Sequence, residues 1–90
     1  MNKPELVEVL AGELNTTKKH AEQAVDALIE IIERTVVSGD KVILSGFGIF
    51  EPSVRTGRRG VNPQTGADMM IPDMPTPRFR AGARFKSRLR

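Results

Sequence analysis

Residues 45–51, SGFGIFE, and residues 62–66, NPQTG, decide the fold of this 90-residue chain. The glycines on either side of Phe47 permit backbone angles that a β-carbon forbids, while the ring itself can enter a core. Residues 41–45 predict a strand before this turn, and residues 49–51 predict a strand that returns. In NPQTG the asparagine initiates a turn, the proline fixes φ and the glycine accepts positive φ. The sequence therefore predicts two antiparallel reversals.

The segment around the second turn is too polar to build a core. Residues 54–61 hold three arginines and few apolar side chains, and residues 67–72 predict the second limb of a hairpin. We therefore expect residues 53–75 to form a β-ribbon arm with Pro63 at its tip. Prolines 52, 72, 75 and 77 at the base of this arm should remove ladder donors and stiffen it.

Two helices are predicted before the strands. The first begins at Asn2, a good N-cap with Glu5 three residues later, and its apolar residues include Leu6, Leu10 and Leu14. The second runs over residues 18–38, with Thr17 as N-cap and a stop at Gly39. The apolar residues of the second helix cover more than one narrow stripe, which predicts a second subunit and hence a homodimer. The alternative is that this helix packs only on the first helix and the sheet of its own monomer.

Ninety residues make one domain. We expect a helical dimerisation base over residues 1–39, a three-stranded β-saddle with its arm over residues 40–80, and a short basic helix over residues 81–90. The fold class is α+β.

The charges are segregated along the chain. Residues 1–54 carry five Lys or Arg against nine Asp or Glu, whereas residues 55–90 carry nine, eight of them Arg, against two. A net charge of +7 in the second segment indicates a polyanionic partner, and arginine suits phosphate and groove contacts. A solvated basic tail is the simpler alternative. The chain has no Cys, no apolar run that could span a bilayer and no apolar secretion signal at residues 1–5, so a cytoplasmic protein with no membrane association is expected.

Catalytic chemistry has little support in the sequence. His20 is the only histidine and has no partner for a metal set, and no serine lies in a motif that supplies a base. The GFG turn does not continue as a dinucleotide-binding fingerprint. We therefore expect no enzyme activity, no cofactor, no metal and no small-molecule substrate.

The arm offers binding chemistry instead. Arg55, Arg58 and Arg59 lie on one limb, where a two-stranded ribbon can follow a narrow, electronegative minor groove. Proline at the tip is a rigid apolar wedge that can enter a base step and kink the duplex. Pro63 is also an ordinary turn former, but the basic residues of the arm favour the wedge.

The SGFGIFE stretch followed after ten residues by NPQTG resembles the signature of HU and integration host factor proteins. Further similarity lies in MNKxEL at the start, in Lys18-Lys19 with residues 24–26, in residues 39–42 and in PxFxxG at residues 77–82, so that it extends over essentially the whole chain. The resemblance implies an intertwined dimer with a helical base, a β-saddle and two arms that embrace double-stranded DNA in the nucleoid.

The site residues follow from the resemblance together with the charge pattern. The DNA-binding arm is assigned to Arg55, Arg58, Arg59, Val61, Asn62, Pro63 and Gln64, with Pro63 intercalating. Phosphate contacts on the body are assigned to Lys3, Lys18, Arg78, Arg80, Arg84 and Lys86. The dimer core is assigned to Phe47, Phe50, Phe79, Leu28 and Ile32. Val61 and Ala83 stand where many relatives carry a cation, and Arg84 can compensate for Ala83.

The predicted function is architectural: largely sequence-nonspecific binding, bending and compaction of DNA through the minor groove, with bent, nicked or junction DNA preferred. A sequence-specific bender similar to integration host factor is one alternative. A basic RNA-binding assembly protein is another, although all four Phe fall at core-like positions and the chain lacks Tyr and Trp for base stacking.

Overall fold

The computed structural model describes residues 1–55 and 57–90, in two units, Met1–Arg34 and Thr35–Arg90. Helix α1 spans Lys3–Leu14. It begins there because the Glu5 backbone N–H donates to the Asn2 side chain at 3.1 Å, which satisfies one of the amides that a helix start leaves without a partner. Asn15 ends it in the left-handed conformation, with φ of 52°. The predicted N-cap at Asn2 is thus confirmed.

Helix α2 spans Lys18–Val37 and crosses the boundary between the units. The hydroxyl of Thr17 accepts a hydrogen bond from the His20 backbone N–H at 3.1 Å, as expected for an N-cap. Gly39, with φ of 94°, follows the helix, which ends one residue earlier than predicted.

The core of the first unit is small and formed by short side chains. Val7 and Ala11 of α1 pack with Ala21 and Val25 of α2, and Leu10 lies partly buried against them. Leu6 and Leu14, which also belong to the apolar residues of α1, remain exposed in the single chain. The side of α1 that meets α2 carries Val7 and Ala11.

The second unit contains two antiparallel sheets. Strands β1 (Val42–Leu44), β2 (Gly48–Arg55) and β5 (Met74–Ala81) form a three-stranded sheet in the order β1-β2-β5. Strands β3 (Arg58–Val61) and β4 (Asp68–Ile71) form a separate two-stranded ribbon. Helix α3, Ala83–Ser87, closes the described fold.

Strand β2 is longer than the sequence predicted, and it continues through Pro52. Register explains this: β1 pairs with β2 only from Gly48 to Phe50, so at Pro52 the strand has a single neighbour and no ladder donor is missing on its other side. Pro52 lies opposite Pro77 of the edge strand β5. The predicted arm of residues 53–75 takes in the far end of this ladder and the outer ribbon, 58–61 with 68–71.

Candidate nucleic-acid interface

The ribbon β3–β4 carries its positive charge on one limb only. Arg58 and Arg59 are neighbours on β3, so they point to opposite faces of the ribbon, opposite Ile71 and Met70 of β4 respectively. Strand β4, with the sequence DMMI, carries no cation. Each face of the ribbon therefore offers one guanidinium group beside an apolar side chain.

The tip of the ribbon is a well-closed turn. The Asn62 backbone N–H donates to the carbonyl of Ala67 at 2.8 Å, and the Gly66 N–H donates to the carbonyl of Asn62 at 2.7 Å. The Asn62 side chain also accepts from the Gln64 N–H at 2.8 Å, which is an Asx turn. Pro63 is left exposed at the apex, where its ring has no donor that requires a partner. Val61 precedes the turn, mostly exposed and without charge.

The three-stranded sheet has one polar and one aromatic face. Residues paired directly across antiparallel strands share a face, so Arg55, Arg78 and Arg80 lie on the same side of the sheet as Glu51. Phe50 and Phe79 lie opposite each other on the other side. The structure therefore brings three of the predicted DNA contacts together on one surface.

Glu51 restrains part of that surface. Its carboxylate accepts from Arg80 Nε at 2.8 Å and from Arg80 Nη2 at 3.2 Å, and it lies 3.9 Å from Lys41 Nζ. The Glu51 side chain is only 12% exposed. In the sequence Glu51 belongs to the signature stretch, but its role depends on a register that brings it beside a residue 29 positions away. Among the residues that the structure describes, Arg78 forms no ion pair although it is the register partner of Glu51.

Two predicted phosphate contacts of the helical unit are also paired. Lys3 forms an ion pair with Asp26, and the side-chain hydrogen bond and the negative charge of Asp26 raise the pKa of Lys3 above its ordinary value. Lys18 lies 3.8 Å from Glu8, with both side chains largely exposed, so that pair contributes little. Any phosphate bound by these two lysines would have to compete with a carboxylate.

Helix α3 docks on the GFG turn. The N–H of Phe85 donates to the carbonyl of Gly46 at 3.1 Å, and the rings of Phe85 and Phe47 stack at 5.2 Å. Gly46 has φ of 83°, and the guanidinium of Arg84 lies so close to it that an added β-carbon would be 3.1 Å from Nε. Arg84 is thus held over the turn, whereas Lys86 extends from an exposed position.

The predicted dimer-core residues are incompletely covered in one chain. Phe47 and Phe79, which pack at 5.4 Å, are 40% and 41% exposed. Leu28 is 52% exposed, and Phe50 and Ile32 are partly buried. The sequence interpretation did not assign Phe85 to this core, although its ring stacks on Phe47.

The base of the ribbon contains a feature that the sequence did not indicate. The Gly57 backbone N–H donates to the Asp73 carboxylate, at the point where the three-stranded sheet gives way to the ribbon. Arg55, Arg58, Ile71, Pro72 and Met74 line a cavity of about 200 Å³ there. Two signals in the sequence could have indicated this contact: Gly57 lies outside any turn, and Asp73 is an acidic residue in a basic segment. The next residue along from Arg55, Thr56, lies outside the described residues.

Within residues 1–55 and 57–90, no three His, Cys, Asp or Glu side chains lie close enough to hold a metal ion. In the same part of the chain, no helix combines the length and the apolar character needed to cross a membrane.

A ribbon with arginines and an exposed proline, on a sheet with a cationic face, is the architecture of a groove-binding protein. The sequence profile described as "Bacterial DNA-binding protein" matches residues 1–90, and the chain therefore belongs to that family. The resemblance noted from the signature stretches is confirmed.

Several known proteins similar to this chain are named HU. This chain is 45% identical over 86 residues to the DNA-binding protein HU of Staphylococcus aureus, and the match covers 96% of each chain. It is 45% identical over 89 residues to that of a Nostoc species, covering 99% of this chain and 95% of the relative. Among solved structures, Anabaena HU in a cocrystal with DNA superposes with a TM-score of 0.92 at 45% identity, over 99% of this chain and 97% of the other. A mutant HU of Thermotoga maritima superposes with a TM-score of 0.73 at 27% identity, over the full length of both chains. The predicted α+β fold is confirmed.

Proposed function

We propose that this protein binds double-stranded DNA as a homodimer, largely without regard to sequence, and bends it through the minor groove. The observation that carries the proposal is the ribbon itself, which presents an exposed proline at its tip and arginines on both faces. Phosphate contacts supply affinity that is independent of sequence, and the wedge supplies deformation. The similarity to HU in a cocrystal with DNA supports the same partner.

The homodimer is proposed because a single chain leaves too much apolar surface uncovered. In the described residues of the isolated chain, only Val7, Ala11, Ala21 and Val25 form the buried hydrophobic core. Large apolar side chains stay exposed in both units, among them Leu28, Ile29, Ile31, Phe47 and Phe79. Large apolar side chains exposed in such number indicate an association site, and a chain of 90 residues gains most from oligomerisation. A second copy offers the same apolar faces and needs no further component.

Bending accounts for the expected preference for bent, nicked or junction DNA. Insertion of a proline ring unstacks a base step at a cost of a few kcal/mol, and a duplex that is already kinked or interrupted avoids much of that cost. Each arm would place Pro63 in the groove, with Asn62 and Gln64 beside it. Arg55, Arg58 and Arg59 would neutralise phosphates, aided on the body by Arg78, Arg84 and Lys86.

The role we infer is architectural rather than enzymatic, because binding, neutralisation and wedging require no catalytic group. The site of action would be the nucleoid, in the cytoplasm. The absence of Tyr and Trp disfavours recognition of single-stranded RNA by base stacking, since the four Phe lie in or beside one aromatic cluster.

A gel-shift series on linear, nicked and four-way-junction DNA at two salt concentrations tests the proposal. We expect all three to bind, with nicked and junction DNA bound more tightly, and each affinity to fall as the salt concentration rises. Competition between a random and a defined duplex should show a ratio well below about 10³, the ratio that real sequence specificity reaches. Tighter binding to structured RNA than to every DNA would overturn the proposal.

The wedge is tested separately with Pro63→Ala. We expect it to reduce the bend of an end-labelled duplex, measured by fluorescence energy transfer, more than it reduces affinity, because alanine keeps the arginines in place but cannot fill a base step. An unchanged bend would assign Pro63 to turn formation alone.

A further inference from the structure

The two antiparallel ladders of the second unit do not join continuously. The ladder of β2 and β5 ends at the pair Arg55 and Met74, and the ladder of β3 and β4 begins at the pair Arg58 and Ile71. Between them lie Gly57 on one limb and residues 72–73 on the other. Here the Gly57 N–H donates to a carboxylate oxygen of Asp73, so a side chain replaces the missing ladder hydrogen bond.

The approach of the two limbs at this joint leaves no room for a side chain at Gly57. A β-carbon there would lie 2.2 Å from the carbonyl oxygen of Ile71, 2.9 Å from the carbonyl carbon of Pro72 and 3.0 Å from the nitrogen of Asp73. All three contacts are with backbone, which cannot move aside as a flexible side chain does. Pro72 fixes its own φ on the other limb. The joint is therefore closely packed, and the Asp73 hydrogen bond fastens it.

The joint brings two cationic side chains, Arg55 and Arg58, to one cavity. Arg55 ends one ladder and Arg58 begins the other, yet both line the same cavity of about 200 Å³. The rest of its lining is apolar, from Ile71, Pro72 and Met74. This lining is chemically complementary to one phosphodiester with its deoxyribose. The two guanidinium groups can bind phosphate oxygens, and the apolar side chains can contact the C–H groups of the sugar ring.

We propose that Asp73 is a positioning residue for DNA binding: its carboxylate holds Gly57 so that Arg55 and Arg58 converge on one backbone phosphate at the base of the arm. This inference rests on the proposed function and adds a residue to it. By charge alone Asp73 should oppose DNA, because a carboxylate near a polyanion is repelled. A benefit from Asp73 must therefore come from geometry, and the two effects have opposite signs.

The test compares Asp73→Asn with Asp73→Ala. Both remove the negative charge, but only asparagine keeps an oxygen that can accept from the Gly57 N–H. We expect Asp73→Ala to bind a linear duplex about three- to tenfold more weakly than Asp73→Asn, because an unfastened arm must be ordered on binding. Its bend, measured by fluorescence energy transfer, should also be smaller. Anisotropy titration gives the affinities.

Asp68 provides the matched control. It is the other carboxylate of the arm region, on β4, and it forms no side-chain hydrogen bond or ion pair within the described part of the chain. Asp68→Ala and Asp68→Asn should therefore behave alike, each at or slightly above wild-type affinity. A similar difference between the two Asp68 variants would show that alanine disturbs the arm generally, and it would overturn the assignment to Asp73.

The remaining outcomes separate the inference from the function on which it rests. Equal affinity and bending by both Asp73 variants, whether above or at the wild-type level, would overturn the positioning role while leaving DNA binding intact. Failure of the wild type itself to bind or bend DNA would instead overturn the proposed function. Circular dichroism and sedimentation of each variant establish that helices and assembly are unchanged. Gly57→Ala should reproduce the loss seen in Asp73→Ala.

Discussion

The steepness of the salt dependence should report directly on the arm arginines. In the proposed dimer, replacing Arg58 and Arg59 by glutamine removes four cations, two from each ribbon. If each neutralises one phosphate, the slope of log K against log salt becomes shallower by about 0.9 for each, or about 3.6 in all. Between 50 and 200 mM salt, a range of about 0.6 log units, the variant should lose about 10²-fold less affinity than the wild type. Anisotropy titrations of one short duplex across this range measure both slopes.

Arg34→Gln is the matched control, because it removes a cation from the last turn of α2, outside every surface assigned to DNA. Its slope should equal that of the wild type within error. The reasoning fails if the double variant keeps the wild-type slope. It also fails if Arg34→Gln makes the slope shallower by as much per removed charge as the double variant does. A parallel loss of affinity at every salt concentration, with no change in slope, would mean that the arm arginines contribute packing rather than phosphate neutralisation.

Three further predictions concern the body. Gly48→Ala should destabilise the fold by about 1–3 kcal/mol in urea denaturation, because its β-carbon would lie 2.4 Å from the ring of Phe79; unchanged stability would mean that the turn yields freely. Since the pKa of Lys3 is raised, its ion pair with Asp26 stabilises the fold at neutral and moderately alkaline pH, up to pH 10.5, and is lost as pH rises through the folded-state value. Asp26→Asn should therefore lower the urea midpoint near pH 8 but converge with the wild type at strongly alkaline pH, and a constant difference would contradict this. Leu28→Glu should shift sedimentation from dimer toward monomer or unfolded chain, and an intact dimer would remove Leu28 from the interface.

Local signals in the sequence predicted the local structure well. Asn2 and Thr17 cap their helices by the hydrogen bonds expected of those side chains, and Gly39 follows the second helix with positive φ. The turn at residues 62–66 closes as its Asn, Pro and Gly predict. Each of these features depends on residues within about five positions of one another, so composition and spacing suffice to indicate them.

Features that depend on strand register could not be predicted from the sequence. Glu51 reaches Arg80 diagonally across two strands, and Asp73 reaches Gly57 across the base of the arm, over separations of 29 and 16 residues. Spacing along the chain does not specify which side chains oppose each other until the pairing is known. The length of β2 was underestimated for the same reason, since Pro52 is tolerated only because β1 does not pair alongside it.

Ion pairing, rather than net charge, determines which cations are available to DNA. The predicted phosphate contacts Lys3, Lys18 and Arg80 each have a carboxylate partner, so every phosphate contact they make must first exchange one ion for another. Arg58 and Arg59 have no such partner within the described residues, and Asp68 is the single acidic residue of the neighbouring strand β4. Because an unpaired exposed guanidinium gives up only water on binding, contact should be most favourable at the arms. Engagement of the body would then follow where the bent duplex is brought against the polar face of the sheet, and Arg78 is the cation of β5 that is free to receive it.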